Sequence, residues 1–315
     1  MKNKIAYMII TLTTVVLLII TVVVMLPKPK VVEKPIAIMS AFPGELTKII
    51  EAMKVEKNIT IAQWTFHLGK IHGVNVVAFF CGVGKVNTAA GTELLIQQFN
   101  PRFIIFSGIS GGVAPFTDIG DITISEVVAQ HDYGLVVPIG GLKGVQYPEE
   151  AELERGFIPQ GVPIYKFGNT TRIKFFKANP DLIKLALKAT EELTFENVPG
   201  TTRKPVIRVG VIVTGDQFIA STEKVDWLYK TFNALSTEME GGAMAQVAYI
   251  HNIPWVIIRT NSDRADEIAV EIIKEFWQYA ANNSANIVIK MIELFSKERI
   301  EIVATTTYYE FQITK

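Results

Sequence analysis

Apolar positions fall into short continuous runs separated by helix-like patterns, and this alternation repeats along most of the chain. The run "IAIMSAF" around Ile36 predicts a buried strand. "PGELTKIIEAMKV" follows, with Pro43 at the first helical position and apolar residues at Leu46, Ile49, Ile50 and Met53 on one helix face. "ITIAQWTFHLGKI" and "VNVVAFFCGVG" are strand-like and divided by His72-Gly73, a hairpin signal. Next come a helix over "KVNTAAGTELLIQQF", a buried strand running into a glycine turn, "RFIIFSGISGG", and a further strand in "DIGDITISEVVAQHD". From Tyr133 to about Pro180 the pattern turns irregular and rich in Gly and Pro, predicting a long excursion.

Regularity returns with the helix "DLIKLALKATEEL" and the strand "VIRVGVIVTGDQFIAS". The strand "IPWVIIRTNSDRAD" repeats that grammar, and a long closing helix follows, "EIIKEFWQYAANNSANIVIKMIELF". Strands alternating with helices predict a single α/β domain over residues 35–298, with a mixed central β-sheet flanked by helices. Ligands bind at the strand ends of such sheets. The polar clusters of this chain all fall just after apolar strands, so they are expected to share one pocket.

The amino-terminal pattern differs. "IAYMIITLTTVVLLIITVVVML", Ile5 to Leu26, carries no charge and is long enough to cross a bilayer of about 30 Å as a helix. A signal peptide has a shorter apolar region, roughly 7–15 residues, and a small-residue cleavage site. Here the run ends in "VVVMLPKPK". The expectation is an uncleaved membrane anchor over residues 1–26 and a stiff proline-containing linker over 27–34. The domain is expected on the extracytoplasmic side, periplasmic or extracellular, from the short positive flank of Lys2, Lys4 and the amino terminus. The tail over 299–315 looks strand-prone.

Composition narrows the function classes. The 31 basic and 31 acidic residues cancel, and no basic block is interleaved with aromatics, so nucleic acid is not an expected partner. The single cysteine, Cys81, excludes an internal disulfide and a cysteine-rich metal site. "CGVGKVNTAAG" lacks the spaced third glycine of a dinucleotide fingerprint. Phe79 stands where a phosphate loop needs its first glycine, and Val86 follows Gly84-Lys85. His131-Asp132 is the conspicuous His-Asp pair, read as a strand cap or subunit contact; His67, His72 and His251 are read as structural or exposed.

"STEMEGG" sets Glu238 and Glu240 one residue apart, which puts both on one side if the backbone is extended. Together with "SAFPGEL", "GVGKVNTAA", "FSGISGG", "TGDQF" and "RTNSDRAD", in this order, it resembles the nucleoside phosphorylase and nucleosidase superfamily. The closest likeness is to 5′-methylthioadenosine/S-adenosylhomocysteine nucleosidases, over roughly Ile36 to Leu294. The resemblance implies cleavage of an N-glycosidic bond. Such a reaction builds positive charge on the sugar and negative charge on the departing purine. Carboxylates near the sugar and a protonated acid near the base meet those needs.

By that resemblance Asp263 is the general acid at the purine N7, oriented by Ser262; their alternative role is a helix N-cap. Glu240 holds the ribose hydroxyls, Met239 lies along the sugar face, and Glu238 adds negative charge; a solvated loop is the alternative. Glu45 positions and deprotonates the attacking water; its alternative is a first-turn Glu complementing the helix dipole. Arg259 helps to hold water or sugar, or pairs structurally with Glu45 or Glu238. Phe218 stacks on the purine, Ile219 lends backbone groups to the base edge, and Phe42 lines the site of the 5′ substituent. Gly108, Gly111 and Gly112 let the backbone approach the ligand.

Ile109, in "SGISGG", stands where many members have a small polar residue, and the excursion falls near the 5′ end of the substrate. The 5′ group is therefore left open. The resemblance implies no cofactor and no metal, a purine nucleoside as small-molecule partner, and a homodimer, with a trimer as alternative. Phosphorolysis and non-catalytic nucleoside binding or storage are the rival functions.

Overall fold

Strand β1 (Ile36–Ser40) is buried at every position, and its alternating side chains feed two cores. Ile36 and Ile38 pack with Leu46, Ile49, Leu185 and Val288. Ala37 and Met39 pack on the other face with Leu95, Ile96, Met244 and Ala248. A sheet covered on both faces has no polar side, which explains the uninterrupted apolar runs. The computed structural model describes residues 33–147, 156–166, 168–298, 300 and 302.

In chain order the other strands are β2 (Lys54–Ile61), β3 (Trp64–Ile71), β4 (Val74–Phe80), β5 (Ile104–Gly112), β6 (Ile122–Gln130) and β7 (Gly134–Val136). They continue with β8 (Phe157–Pro159), β9 (Val162–Lys166), β10 (Asn169–Ile173), β11 (Phe176–Lys177), β12 (Ile207–Thr214), β13 (Ala234–Glu238) and β14 (Trp255–Asp263). The helices are α1 (Pro43–Ala52), α2 (Lys85–Phe99), α3 (Pro180–Glu191), α4 (Thr222–Phe232), α5 (Gly241–His251) and α6 (Ala269–Glu298).

The main sheet runs β11-β6-β12-β13-β5-β1-β4-β3-β2, and β14 pairs with both β5 and β6. Strands β5, β13, β12, β6 and β14 therefore close into a ring of successive pairings. The pairing is mixed as expected: β13 meets β5 and β14 meets β6 antiparallel, while β14–β5 and β12–β13 are parallel. Helices α1, α3 and α6 cover one face, and α2 and α5 the other.

The element ends follow local chemistry. Asn179 caps α3, its side-chain oxygen accepting from Asp181 N (3.0 Å) and Leu182 N (3.1 Å), with Pro180 opening the helix. Asn100, Asn233 and Asn252 end α2, α4 and α5 in the left-handed conformation that asparagine tolerates. His72 (φ 47°) and Gly73 (φ 82°) form the expected tight hairpin turn between β3 and β4.

Three expectations change. "ITIAQWTFHLGKI" is not one strand but contains the β2–β3 hairpin turn at Ala62-Gln63, with Ala62 in the left-handed region (φ 52°). Helix α4 has no counterpart among the expected elements; Ser221 caps it by accepting from Lys224 N. The anchored, extracytoplasmic reading is the third. Its span, Ile5 to Leu26, lies outside the described residues, and among the described residues no helix is long and apolar enough to cross a membrane. The longest, α6, buries Ala285, Val288, Met291 and Ile292 in the core but exposes Glu271, Lys274 and Glu275. It is amphipathic, as a helix covering a sheet must be. The strand-prone tail over 299–315 also lies outside the described residues, apart from 300 and 302.

Asn179 is buried and holds two amide groups that have no partner within the helix. Asn179→Ala should destabilise the protein by about 1–2 kcal/mol, lowering Tm by roughly 2–8 °C. Calorimetry checks this.

Candidate active site

The gap between two strand pairings on β5 creates the site. On one edge β5 pairs with β1 through Phe106 and with β13 from Gly111. Between them the Ile109 N–H is taken by a side chain, Glu45 Oε1 (2.8 Å). The second Glu45 oxygen accepts from Ala41 N (2.7 Å), just past β1. Glu45 thus folds back from the first turn of α1 into the interior, where it is only 1% exposed. A solvent-facing dipole partner would point the other way.

Arg259, on β14, faces Glu45 and is equally buried at 1%. Its Nη1 lies 3.6 Å from Glu45 Oε1 and donates to Ile109 O (3.2 Å). Its Nη2 donates to Glu238 Oε2 and to Glu240 Oε2 (3.2 Å). The guanidinium carbon sits 4.6 Å from the centre of the Phe106 ring. Gly108 is required here, because a Cβ would overlap Arg259 Nη1 and come within 2.5 Å of Glu45 Oε1.

Glu238 and Glu240 therefore meet on one guanidinium, although β13 ends at Glu238 and the backbone at Glu240 (φ −130°, ψ −44°) is not extended. Their surroundings differ. Glu238 is engaged at both oxygens: Oε2 also accepts from Glu240 N (3.1 Å) and Gly241 N (2.7 Å), and Oε1 from the Thr214 hydroxyl. Among the described residues, Glu240 Oε1 accepts one backbone bond, from Gly84 N (2.9 Å). Glu240 faces the cavity with its coordination less complete.

That cavity, of about 190 Å³, is lined by Phe42, Glu45, Ile109, Phe218, Ile219, Glu238, Met239, Glu240, Arg259, Ser262 and Asp263. The expected side chains are thus brought together, with Gly111 also in the lining and Gly108 and Gly112 outside it. Phe42 packs against Trp277 of α6 (5.9 Å between rings). Phe218 remains 47% exposed, a ring at the rim and not in the core. Sequence reasoning missed Ala41, Val83, Ser110, Gln217, Thr237, Ala265 and Ile273 among the lining. Gln217 and Ser110 lie inside clusters already singled out, and that adjacency was an available signal. Ile273 looks like any apolar residue of an amphipathic helix.

Asp263 ends β14 and, among the described residues, pairs with no cation. Its Oδ1 accepts from Ala265 N (2.8 Å) and its Oδ2 from the Ser262 hydroxyl (2.8 Å). Helix α6 begins only at Ala269, so this is a turn and not a helix cap. Burial pushes the Asp263 carboxyl up to about 6, against the pull of those two donors. Burial likewise raises Glu45, opposed by Arg259. It raises Glu240 to about 7, with Arg259 opposing and Glu238 reinforcing the shift. One cation among three carboxylates leaves a surplus of negative charge in a site shielded from water. It can receive a cation, or a proton, more readily than an anion.

Known proteins resemble this chain over most of its length. A family model described as "Phosphorylase superfamily" matches residues 35–293. The 5′-methylthioadenosine/S-adenosylhomocysteine nucleosidase of Maridesulfovibrio salexigens is 30% identical over 82% of this chain and 98% of its own length. The aminodeoxyfutalosine nucleosidase of Campylobacter jejuni is 31% identical over 82% and 98%. Among solved structures, the Helicobacter pylori 5′-methylthioadenosine/S-adenosylhomocysteine nucleosidase superposes with a TM-score of 0.66 at 28% identity, covering 82% of this chain and 98% of that one. The Neisseria meningitidis enzyme in complex with methylthio-immucillin-A gives 0.65 at 29% identity, covering 82% and 99%. The matches take in almost the whole of each relative, so the amino-terminal residues before 35 lie outside the family region.

The raised carboxyls set a pH dependence of stability. Asp263 titrates at about 6 in the fold against 3.8 for the free group, so its contribution is complete at low pH and lost as pH rises through about 6. Glu240, raised to about 7, acts in the same direction. Asp263→Asn removes the ionisation and keeps an acceptor for Ala265 N. It should raise Tm relative to the native protein at about pH 8, by up to about 3 kcal/mol of stability, with little gain at about pH 4. Thermal melts at the two pH values read this directly.

Proposed function

The chain belongs to the Phosphorylase superfamily, and we propose that it is a nucleosidase, hydrolysing the N-glycosidic bond of a purine nucleoside to free base and free sugar. The proposed substrate is adenosine with a modified 5′ position, of the 5′-methylthioadenosine/S-adenosylhomocysteine kind, yielding adenine and a thioribose sugar. The observation that carries the reading is the buried cluster of Glu45, Glu238 and Glu240 around the one guanidinium of Arg259.

The roles follow from position and charge. Phe218, at the rim, stacks on the purine, and Ile219 offers backbone groups to its edge. Asp263 gives its proton to the purine N7 as the bond breaks; a carboxyl that titrates near 6 holds that proton closer to neutrality than an exposed aspartate does. The Ser262 hydroxyl orients it. Glu240 accepts from the ribose hydroxyls, and Met239 lies along the sugar face. Glu45 takes the proton of the attacking water; two backbone N–H groups and Arg259 favour its ionised form against burial. The carboxylates stabilise the positive charge that develops on the sugar. Phosphate would meet the same surplus as repulsion, which supports water as the nucleophile. Phe42 lines the 5′ end, and the identity of the 5′ group is the least constrained part of the proposal.

A homodimer is proposed as the working assembly. Leu135, Val136, Ile139, Leu142 and Val145 are exposed on one segment of the excursion, with Val136 78% and Ile139 80% accessible. So many large apolar groups on one short stretch favour burial against a second copy. Sedimentation should give a dimer, and Val136→Asp with Ile139→Asp should shift it to monomer; a native monomer would remove this part.

Incubation with 5′-methylthioadenosine, S-adenosylhomocysteine, adenosine and inosine, with and without phosphate, tests the reaction. Adenine and free thioribose should appear at rates independent of phosphate. Asp263→Asn should lower kcat about 10²–10⁴-fold and remove the decline of kcat/KM above about pH 6. Glu45→Gln should block hydrolysis while ligand affinity stays within about threefold. A sugar 1-phosphate product, or native rates from the Asp263 variant, would overturn the mechanism.

A further inference from the structure

Asp132, the acidic partner of His131 in the sequence, does not line the cavity, yet it ties together two segments that do. Its Oδ1 accepts from Lys85 Nζ (2.6 Å) and its Oδ2 from Asp216 N (2.9 Å). Asp216 Oδ1 in turn accepts from Lys85 N (2.7 Å), closing a ring of three hydrogen bonds. The three residues come from different places: the end of β6, the first turn of α2 and the loop leaving β12. The Lys85 and Asp132 side chains are 19% and 15% exposed, so their charge-assisted bond is largely shielded from water.

Each tethered residue adjoins part of the proposed site. Gly84 precedes Lys85, and its N–H holds Glu240 Oε1. Gly84 has a φ of 92°, and a Cβ there would come within 3.1 Å of Asp216 Oδ1. The turn is thus shaped against the Asp216 carboxylate. Gln217, Phe218 and Ile219 follow Asp216 and form one wall of the cavity. Asp263, on β14, takes no part in the ring.

We propose that Asp132 and Lys85 are positioning residues for the glycoside-cleaving site, locking the turn that presents Gly84 N–H to Glu240 against the loop that carries Phe218. The inference rests on the nucleosidase reading. The ring fixes the distance between the sugar-holding carboxylate and the base-stacking aromatic, so it acts on substrate binding and leaves proton donation by Asp263 untouched. Arg259 still holds Glu240 Oε2 when the ring is broken. The effect is therefore a loosened pocket and not a dismantled one.

Steady-state kinetics on the nucleoside that the native protein cleaves fastest separates the possibilities. Asp132→Asn and Lys85→Met should each raise KM about tenfold, the worth of one charge-assisted hydrogen bond, with kcat within about threefold. The double variant should be no worse than either single one, because both break the same ring. Lys85→Arg should restore KM to within about threefold of native. The pH dependence of kcat should stay unchanged throughout. Native KM in both single variants, additive losses in the double one, or a fall in kcat at constant KM would overturn the assignment. Should Asp132→Asn fail to fold, the contrast between Lys85→Met and Lys85→Arg decides alone. Absence of turnover by the native protein would instead defeat the nucleosidase reading, and this inference with it.

Discussion

One buried cation facing three carboxylates is the constraint around which this structure is arranged. Arg259 cannot be left alone at 1% exposure, since an unpaired buried charge costs about 3–5 kcal/mol. Three acidic partners more than neutralise it, so each carboxylate needs further support. Glu238 finds it in two backbone amides and the Thr214 hydroxyl. Glu45 finds it in Ala41 N and Ile109 N. Glu240 has one amide, Gly84 N. All three line the cavity, and Glu240, the least supported, keeps the most capacity to accept from further donors there.

The sheet makes this possible by letting strands part. β1 leaves β5 after Phe106, and β13 arrives only at Gly111. The backbone donor exposed in between has to be satisfied, and a side chain does so where a strand elsewhere would. The glycines of "SGISGG" leave room for that approach: Gly108 admits Arg259 and Glu45, and Gly111 admits Asp263. The ring of five strands thus brings the ends of β5, β13 and β14 to one locus. Residues distant in sequence become neighbours through sheet closure and not through any local motif.

This also accounts for what the sequence revealed. Buried strands announce themselves because two-sided burial forbids polar residues, and polar residues just beyond such runs mark strand ends. Glu45, Glu240, Arg259 and Asp263 were legible on that basis together with family likeness. Ile273 was not, because an apolar residue on α6 looks the same whether it faces the core or a ligand. The Ala62-Gln63 turn hid inside an apolar run, since a positive φ at alanine leaves no compositional mark. Helix α4 was obscured by Trp227, Tyr229 and Phe232, residues with strand as well as helix preference. Hydropathy read a membrane span into residues that lie outside the family region. An apolar run measures length and polarity alone.

Burial alone does not decide what a carboxyl group can do; its neighbours do. Glu45 and Asp263 line the same cavity, and burial is the largest influence on both. Glu45 has Arg259 beside it, and that cation pulls toward the ionised form while burial still holds the carboxyl above its ordinary range. Asp263 has only a hydroxyl and an amide, weaker supports that leave its proton in place near pH 6. A guanidinium beside Asp263 would pull that carboxyl, too, toward its ionised form. Keeping the guanidinium beside Glu45 and away from Asp263 therefore gives the two carboxyls different electrostatic surroundings within a single cavity. The proposed reaction asks for that difference, a base at one end of the site and an acid at the other.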